Sequence, residues 1–371
     1  MKISDLLDTE LLATEYTQGY VNAQRHPKLP LAIYNYSKKC VYESRWNDAT
    51  KKCRGLIIDV DTLEVVARPF EKFFEVRSED FVDIQGNPDH LWGPDTPVEV
   101  VDKIDGSLGI LYPDPSQPSG WAIATRGSFT SPQAVRGTEI LQSYYDDNNP
   151  IVFENGFTHL FEIVYPENRI VVDYFSNSSL YYLGAVGIAT GDIRSSRSVY
   201  WNARPVLYSI NTYGDFLRQW KSYQGALSTE GFVVRNLLTN ELRKFKTDEY
   251  KQLFRFVHQL DAVRVWEMLK DQKQIDRELK EKLPVHVQTW IYDTQNALVR
   301  RFMNVHKEIT VFFEDHRRPV DRKQFAAAVH AYAPKSLWHL LFKRYDNTLT
   351  NEDIWKVVKP STNLIPTLPE E

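Results

Sequence analysis

The chain has 371 residues, 42% of them apolar, and a net charge of −4. That length supports more than one hydrophobic core, so two domains are expected. The mild acidity excludes a bulk basic field, and any nucleic-acid surface must be a local patch.

In chain order, the acidic segment Met1 to Glu10 lacks the apolar core of a signal peptide. From Leu31 to Lys246 short runs rich in β-branched and aromatic residues predict strands: Leu56 to Val60, Val98 to Val101, Leu108 to Tyr112, Leu160 to Tyr165, Ile170 to Tyr174, Leu180 to Val186 and Gly231 to Arg235. Turn residues punctuate them, among them Asp105-Gly106, Pro113 to Gly120 and Leu238 to Asn240. Helices are predicted at Pro132 to Tyr145, after a Ser-Pro start, and at Tyr213 to Tyr223. After Lys246 the apolar spacing becomes helical: Asp248 to Leu269, Gln274 to Glu281, Val285 to Val311 as one long helix or two, Asp321 to Ala331 and Asn351 to Val358. The tail from Pro360 is proline-rich and reads as loose. The fold class is therefore α+β: a β-rich domain, then a smaller all-α one. The most apolar stretch, Leu180 to Ala189, is too short to span a bilayer. Cys40 and Cys53 form no CxxC pair, which argues against a zinc site and fits a reducing compartment. A soluble, cytoplasmic protein is expected.

The chemistry concentrates at Lys103-Ile104-Asp105-Gly106-Ser107, between two apolar runs. A lysine amine held at a rigid strand end can attack phosphorus once it is deprotonated, which nearby cations and burial favour. Asp105-Gly106 suits a tight hairpin with positive φ that presents Lys103. Alone, Lys-x-Asp-Gly is common and reads equally well as a solvated hairpin lysine. No P-loop, HExxH helix or Gly-x-Ser-x-Gly elbow offers a competing site.

Lys103 is not alone. Arg54-Gly55, Lys72 within Arg68 to Phe74, Thr125-Arg126-Gly127-Ser128, Phe161-Glu162, Glu230-Gly231 and Lys244-Phe245-Lys246 stand with it in order. This series resembles the covalent nucleotidyltransferase superfamily of polynucleotide ligases and mRNA capping enzymes, and more closely the RNA ligase 1 family of T-even phages. The likeness runs from Tyr34-Asn35-Tyr36 to Lys246 and includes Tyr165-Pro166-Glu167-Asn168-Arg169-Ile170-Val171-Val172.

The resemblance implies an antiparallel-sheet-rich, ATP-grasp-like nucleotidyltransferase domain over residues 1–247 and an all-helical domain over 248–371 that chooses the RNA. It implies that Lys103 is the adenylated nucleophile. Lys244 and Lys246, on one face of a strand, would hold the α-phosphate; Arg54 and Lys72 would hold the β and γ phosphates; and Arg126 would serve the RNA 5′-phosphate or the AMP ribose. The family carries a lysine two residues before Arg126, where this chain has Ala124. Glu162 and Glu230 would bind the metal or its waters, with Asp271 or Asp276 on a second hydrated metal. The cofactors implied are ATP and Mg2+, or Mn2+ in its place. The implied partner is RNA with 5′-phosphate and 3′-hydroxyl ends, such as cleaved tRNA, sealed by a monomer in the cytoplasm (the host's, if phage-encoded). The run His316-Arg317-Arg318-Pro319 with Arg322 and Lys323 is a candidate RNA contact or a solvated surface. Rival readings are a DNA ligase, a GTP-using capping enzyme and an inactive RNA-binding module. Ser107 and the missing barrel pattern after Lys246 speak against the first two.

Overall fold

The computed structural model describes residues 1–76, 92–145, 152–194, 202–203, 209–223, 229–273, 277–316 and 321–361. The chain divides into two compact units, Met1–Gln252 and Leu253–Thr367. Expectations for Asp276, for Arg317, Arg318 and Pro319, and for the tail from Thr362 onward lie outside the described residues.

The first unit is built on three sheets. The first joins β1 (Val21–Arg25), β2 (Leu31–Tyr36), β3 (Arg54–Asp59) and β4 (Val65–Ala67) in that order. Strands β5 (Phe74–Glu75) and β6 (Val98–Asp102) belong elsewhere. The second sheet contains β7 (Ser107–Pro113), β8 (Trp121–Ala124), β9 (Phe157–Val164), β10 (Ser179–Gly187) and β11 (Ile193–Arg194), ordered β11-β10-β9-β7-β8, with β12 (Asn202–Ala203) paired to β10. The third is β5-β14-β13-β6, completed by β13 (Gly231–Asn236) and β14 (Leu242–Lys246). Pairing is antiparallel except for β5 with β14 and β12 with β10.

Period-two alternation explains how β3 serves two cores. Ile57 faces Ile110, Ala124 and Leu160 of the second sheet. Leu56 and Ile58 face Ile3, Leu6 and Leu12, beneath the helices α1 (Ile3–Leu6) and α2 (Thr9–Thr17). Strand and helix can share this surface because every residue from Leu56 to Ile58 is buried. Two further short helices, α3 (Lys38–Tyr42) and α4 (Asp48–Lys52), follow β2. All four escape a reading based on periodicity because so few turns show too little of it; the signal for α2, α3 and α4 is the caps, with Asp8, Ser37 and Asn47 each accepting backbone N–H bonds. The helix α5 (Pro132–Ser143) starts as expected, with Ser131 capping Ala134 and proline in the first turn. The helix α6 (Tyr213–Trp220) opens on a Thr212–Asp215 capping box and buries Phe216 and Trp220 against Phe232 and Phe245 of the third sheet.

Two expectations need correction. Ile170 to Tyr174 is not a strand, because the amides of Val171 and Val172 bond a side chain, Asp105, in place of a neighbouring strand. Nor do Asp105 and Gly106 form a hairpin: β6 and β7 lie in different sheets, so this segment is a crossing between them.

After β14 come α7 (Asp248–His258) and α8 (Ala262–Lys270). The expected single helix from Asp248 to Leu269 is broken where the Asp261 side chain caps α8 at Arg264. Then follow α9 (Arg277–Lys282), α10 (Val285–His316), α11 (Arg322–Tyr332), α12 (Trp338–Tyr345) and α13 (Asn351–Val357). α10 is one uninterrupted helix of 32 residues. In the second unit Ile309, Phe325, Val329, Leu337, Leu340, Leu341 and Ile354 form the core. No described helix is long and apolar enough to cross a membrane.

Candidate active site

Lys103 stands where β6 ends and the chain leaves the third sheet for the second. Its backbone N–H donates to the Gly231 carbonyl at 2.8 Å, extending the β6–β13 ladder by one bond. Gly106 has no left-handed φ; its need for glycine is close approach. A Cβ there would sit 2.6 Å from the Ile163 carbonyl oxygen and 3.0 Å from Glu162 Cγ. The crossing therefore lies flat against β9.

Glu230 collects the lysines. It is 1% exposed, and its Oε2 accepts from Lys103 Nζ at 2.6 Å while Oε1 pairs with Lys246 Nζ at 3.0 Å. Burial pushes this carboxyl up, but Lys103 and Lys246 outweigh burial and hold it below the usual range. Gly231 beside it has φ 145°, and a Cβ would lie 1.9 Å from the Phe245 carbonyl oxygen, so only glycine fits between Glu230 and β14.

Lys244 sits across β14 from β13 and β5, opposite Val233 and Glu75. Burial, then Lys246, Lys103 and Lys72, push its amine down to about 7. Among the described residues no carboxylate stands within ion-pair distance of it. Glu162 on β9 shows the opposite imbalance. Burial, countered by Lys103 and reinforced by Glu230 and Asp105, pushes it up to about 7, and it too has no ion pair among the described residues. A half-buried cation and a half-buried carboxylate, neither ion-paired among the described residues, flank Lys103 and suit a ligand that carries anionic phosphates and a bound divalent ion.

A second cation cluster surrounds Tyr36 of β2. Arg126 donates to its hydroxyl at 3.1 Å and lies 5.1 Å from its ring centre. Lys72 is held over three rings, 5.1 Å from Tyr36, 4.9 Å from Trp46 and 5.6 Å from Phe74. Arg54 donates to the Phe70 carbonyl and sits 5.4 Å from the Phe73 ring. Burial raises the Tyr36 phenol, yet Arg54, Arg126 and Lys72 outweigh it and bring it below its ordinary value. Burial pushes both Arg54 and Lys72 down as well. Three cations around one phenol make a strongly anion-seeking surface.

The structure thus brings Lys103, Glu162, Glu230, Lys244 and Lys246 together, and gathers Arg54, Lys72 and Arg126 around Tyr36. Asp271 belongs to the second unit, is exposed, and pairs with Lys270 and Lys273 at 3.4 Å each. Among the described residues no three His, Cys, Asp or Glu side chains cluster as a metal site. A divalent ion at Glu162 would therefore take most of its ligands from water and phosphate oxygens, the usual habit of Mg2+. Sequence reasoning assigned no role to Tyr36, Trp46, Asn168 or Tyr250, and offered Tyr174 only among several aromatic candidates, with Phe73 and Phe74, for stacking on adenine. The signal for Tyr36 and Asn168 lay in stretches already matched to a family, Tyr34 to Tyr36 and Tyr165 to Val172.

The sequence profile described as RNA ligase matches residues 52–258, which contain Arg54, Lys72, Lys103, Arg126, Glu162, Glu230, Lys244 and Lys246. A protein of Autographa californica nuclear polyhedrosis virus, provisionally named a bifunctional polynucleotide kinase/RNA ligase, is 30% identical over 249 residues, which is 60% of this chain and 35% of that one. The chain thus spans about a third of the length of this curated relative. Among solved structures, an archaeal ATP-dependent RNA ligase superposes with TM-score 0.47 at 13% identity, covering 80% of each chain. A Naegleria gruberi RNA ligase with pyrophosphate gives 0.37 at 12% identity, over 49% of this chain and 58% of that one. With the profile matching more than half of its length, this chain belongs to the RNA ligase family.

Proposed function

We propose that the protein is an ATP-dependent RNA ligase that works through an enzyme-bound adenylate on Lys103. The observation that carries this reading is the Lys103–Glu230–Lys246 ion-pair chain, flanked by Lys244 and Glu162, both without an ion-pair partner among the described residues.

In the first step Lys103 Nζ attacks the α-phosphorus of ATP. A nitrogen–phosphorus bond forms, the bond to the bridging oxygen breaks, and pyrophosphate leaves. Before attack the amine releases its proton to solvent, and Glu230, 2.6 Å away, orients the nitrogen. Lys244 and Lys246 then face the negative charge that builds on the α-phosphate. The Arg54, Lys72 and Arg126 cluster receives the outgoing β and γ phosphates or, in the next step, an RNA 5′-phosphate. In the second step an oxygen of that 5′-phosphate attacks the same phosphorus, the bond to nitrogen breaks, and Lys103 recovers its proton. In the third, an RNA 3′-hydroxyl attacks the activated 5′-phosphorus and AMP departs. A Mg2+ or Mn2+ ion held at Glu162 would neutralise phosphate charge when bound, and Asp271 is proposed for a second, hydrated ion. The substrate proposed is RNA with 5′-phosphate and 3′-hydroxyl ends, of which cleaved tRNA is one source. The helical unit is proposed to select it, with the chain acting as a monomer in the cytoplasm.

The test is incubation with α-labelled ATP and magnesium, followed by denaturation and counting of label on protein. Label that disappears in Lys103→Ala supports the reading. Label retained by that variant refutes it. Labelling by GTP alone moves the enzyme to the capping branch, and sealing of DNA but not RNA moves it to the DNA ligases. No label at all leaves the binding-module reading.

A further inference from the structure

The stretch from Tyr165 to Tyr174 connects β9 to β10 and has no part in the chemistry above. Its contacts converge on the crossing that carries Lys103. Asn168, 2% exposed, donates through Nδ2 to the Ile163 carbonyl at 2.9 Å and bonds the Ser107 hydroxyl at 3.1 Å. The amides of Val171 and Val172 both donate to Asp105 Oδ2 at 2.9 Å. The Tyr174 hydroxyl accepts from the Asp105 backbone N–H at 2.8 Å. From the opposite side Tyr250 donates to Asp105 Oδ1 at 2.8 Å. Both oxygens and the amide of Asp105 are thus occupied.

The segment also holds its own shape. Arg169 pairs with Asp173 at 2.7 Å and donates to the Val171 carbonyl at 3.1 Å, while Ile170, Val171 and Val172 are buried. Such a connection costs conformational entropy to order and recovers it only through the bonds it makes. Those bonds go to Asp105 and Ser107, which flank the Gly106 contact with β9. On its other side the crossing is tied at Lys103 N to Gly231. The backbone of the crossing is thus bonded on both sides of Gly106.

We propose that Asn168 and Tyr174 are positioning residues for the nucleophile. In this assignment, which rests on the RNA ligase reading, the segment Asn168–Tyr174 clamps the Lys103–Ser107 crossing so that the amine meets the α-phosphorus in line. ATP binding does not depend on the clamp; attack by the lysine does.

The experiment uses the full chain with Tyr174→Phe, which removes a single oxygen, and Asn168→Ala. Three quantities are measured: the single-turnover rate of lysine adenylylation at saturating ATP, the ATP concentration for half that rate, and the sealing rate of RNA supplied already adenylylated. A misplacement of about 1 Å at a reacting group costs up to roughly 100-fold, so the adenylylation rate should fall about 10- to 100-fold in each variant. The half-saturating ATP concentration and the sealing of adenylylated RNA should stay within about 3-fold of the parent, because neither requires attack by Lys103. An unchanged adenylylation rate overturns the assignment. So does a parallel fall in adenylylation and sealing, which marks a merely structural role, or a change confined to ATP affinity. If Asn168→Ala does not fold, Tyr174→Phe decides alone. Failure of the unsubstituted protein to label Lys103 counts against the ligase reading itself and is distinct from each of these results.

Discussion

Replacing Lys244 by methionine removes an ammonium that burial and the neighbouring Lys246, Lys103 and Lys72 all disfavour. The amine titrates at 10.5 in an exposed chain and is pushed down to about 7 in the folded one. Below the lower value both states are charged and the folded state bears the whole cost. At 1.36 kcal/mol per unit of displacement the ceiling is roughly 5 kcal/mol, and relaxation around the site brings the expected figure to about 2–4 kcal/mol. As pH rises from about 7 towards 10.5 the folded amine is neutral while the unfolded one still binds its proton, so the cost shrinks. Lys244→Met should therefore be more stable than the parent at about pH 6, and by only about 1 kcal/mol at about pH 9.5. Methionine nearly matches the lysine stem in volume, so little packing is lost. Urea unfolding of both proteins at the two pH values reads the difference. Equal stability at the lower pH, or a gain of the same size at both, would refute the claim that Lys244 is an uncompensated half-buried cation. The same variant should lose lysine labelling, since it trades stability for the α-phosphate contact.

A polyanion beside Lys244 should raise its depressed amine, so pyrophosphate binding at about pH 8 takes up protons. Calorimetry in buffers of different ionisation enthalpy would expose this, and proton release would contradict it. Glu230→Gln leaves Lys103 and Lys246 facing each other without their shared counter-charge, which should cost about 3 kcal/mol in urea unfolding; a neutral effect would show the ion-pair chain to be dispensable. Gly231→Ala should destabilise by at least about 3 kcal/mol, from a left-handed φ of 145° and a Cβ 1.9 Å from a carbonyl oxygen, and normal melting of that variant would be inconsistent with the backbone described. Glu162→Gln should weaken Mn2+ uptake in the presence of ATP, followed by water proton relaxation, while the melting temperature does not fall, because the carboxylate it removes is disfavoured in the folded chain; undiminished uptake would remove Glu162 from the ion's ligands.

What the sequence alone determined about this protein is its local chemistry. The alternation in Leu56 to Ile58 and in Lys244 to Lys246, the Ser131-Pro132 helix start and the ordered charged motifs all follow from residue type and short spacing, and the folded chain keeps them. The tertiary structure alone decided the rest. Lys103 meets Glu230 across 127 positions because β6 pairs with β13, which no local pattern states. The Asp105–Gly106 pair looks like a hairpin because turn chemistry is local, but β7 pairs with β8 and β9 and not with β6, so the same residues became a passage between two sheets. Ile170 to Val172 reads as a strand because it is apolar and β-branched, yet its amides are claimed by a buried carboxylate from a distant segment. Backbone donors bond whichever acceptor the packed fold brings within reach, and that competition is settled only when the whole chain has closed around it.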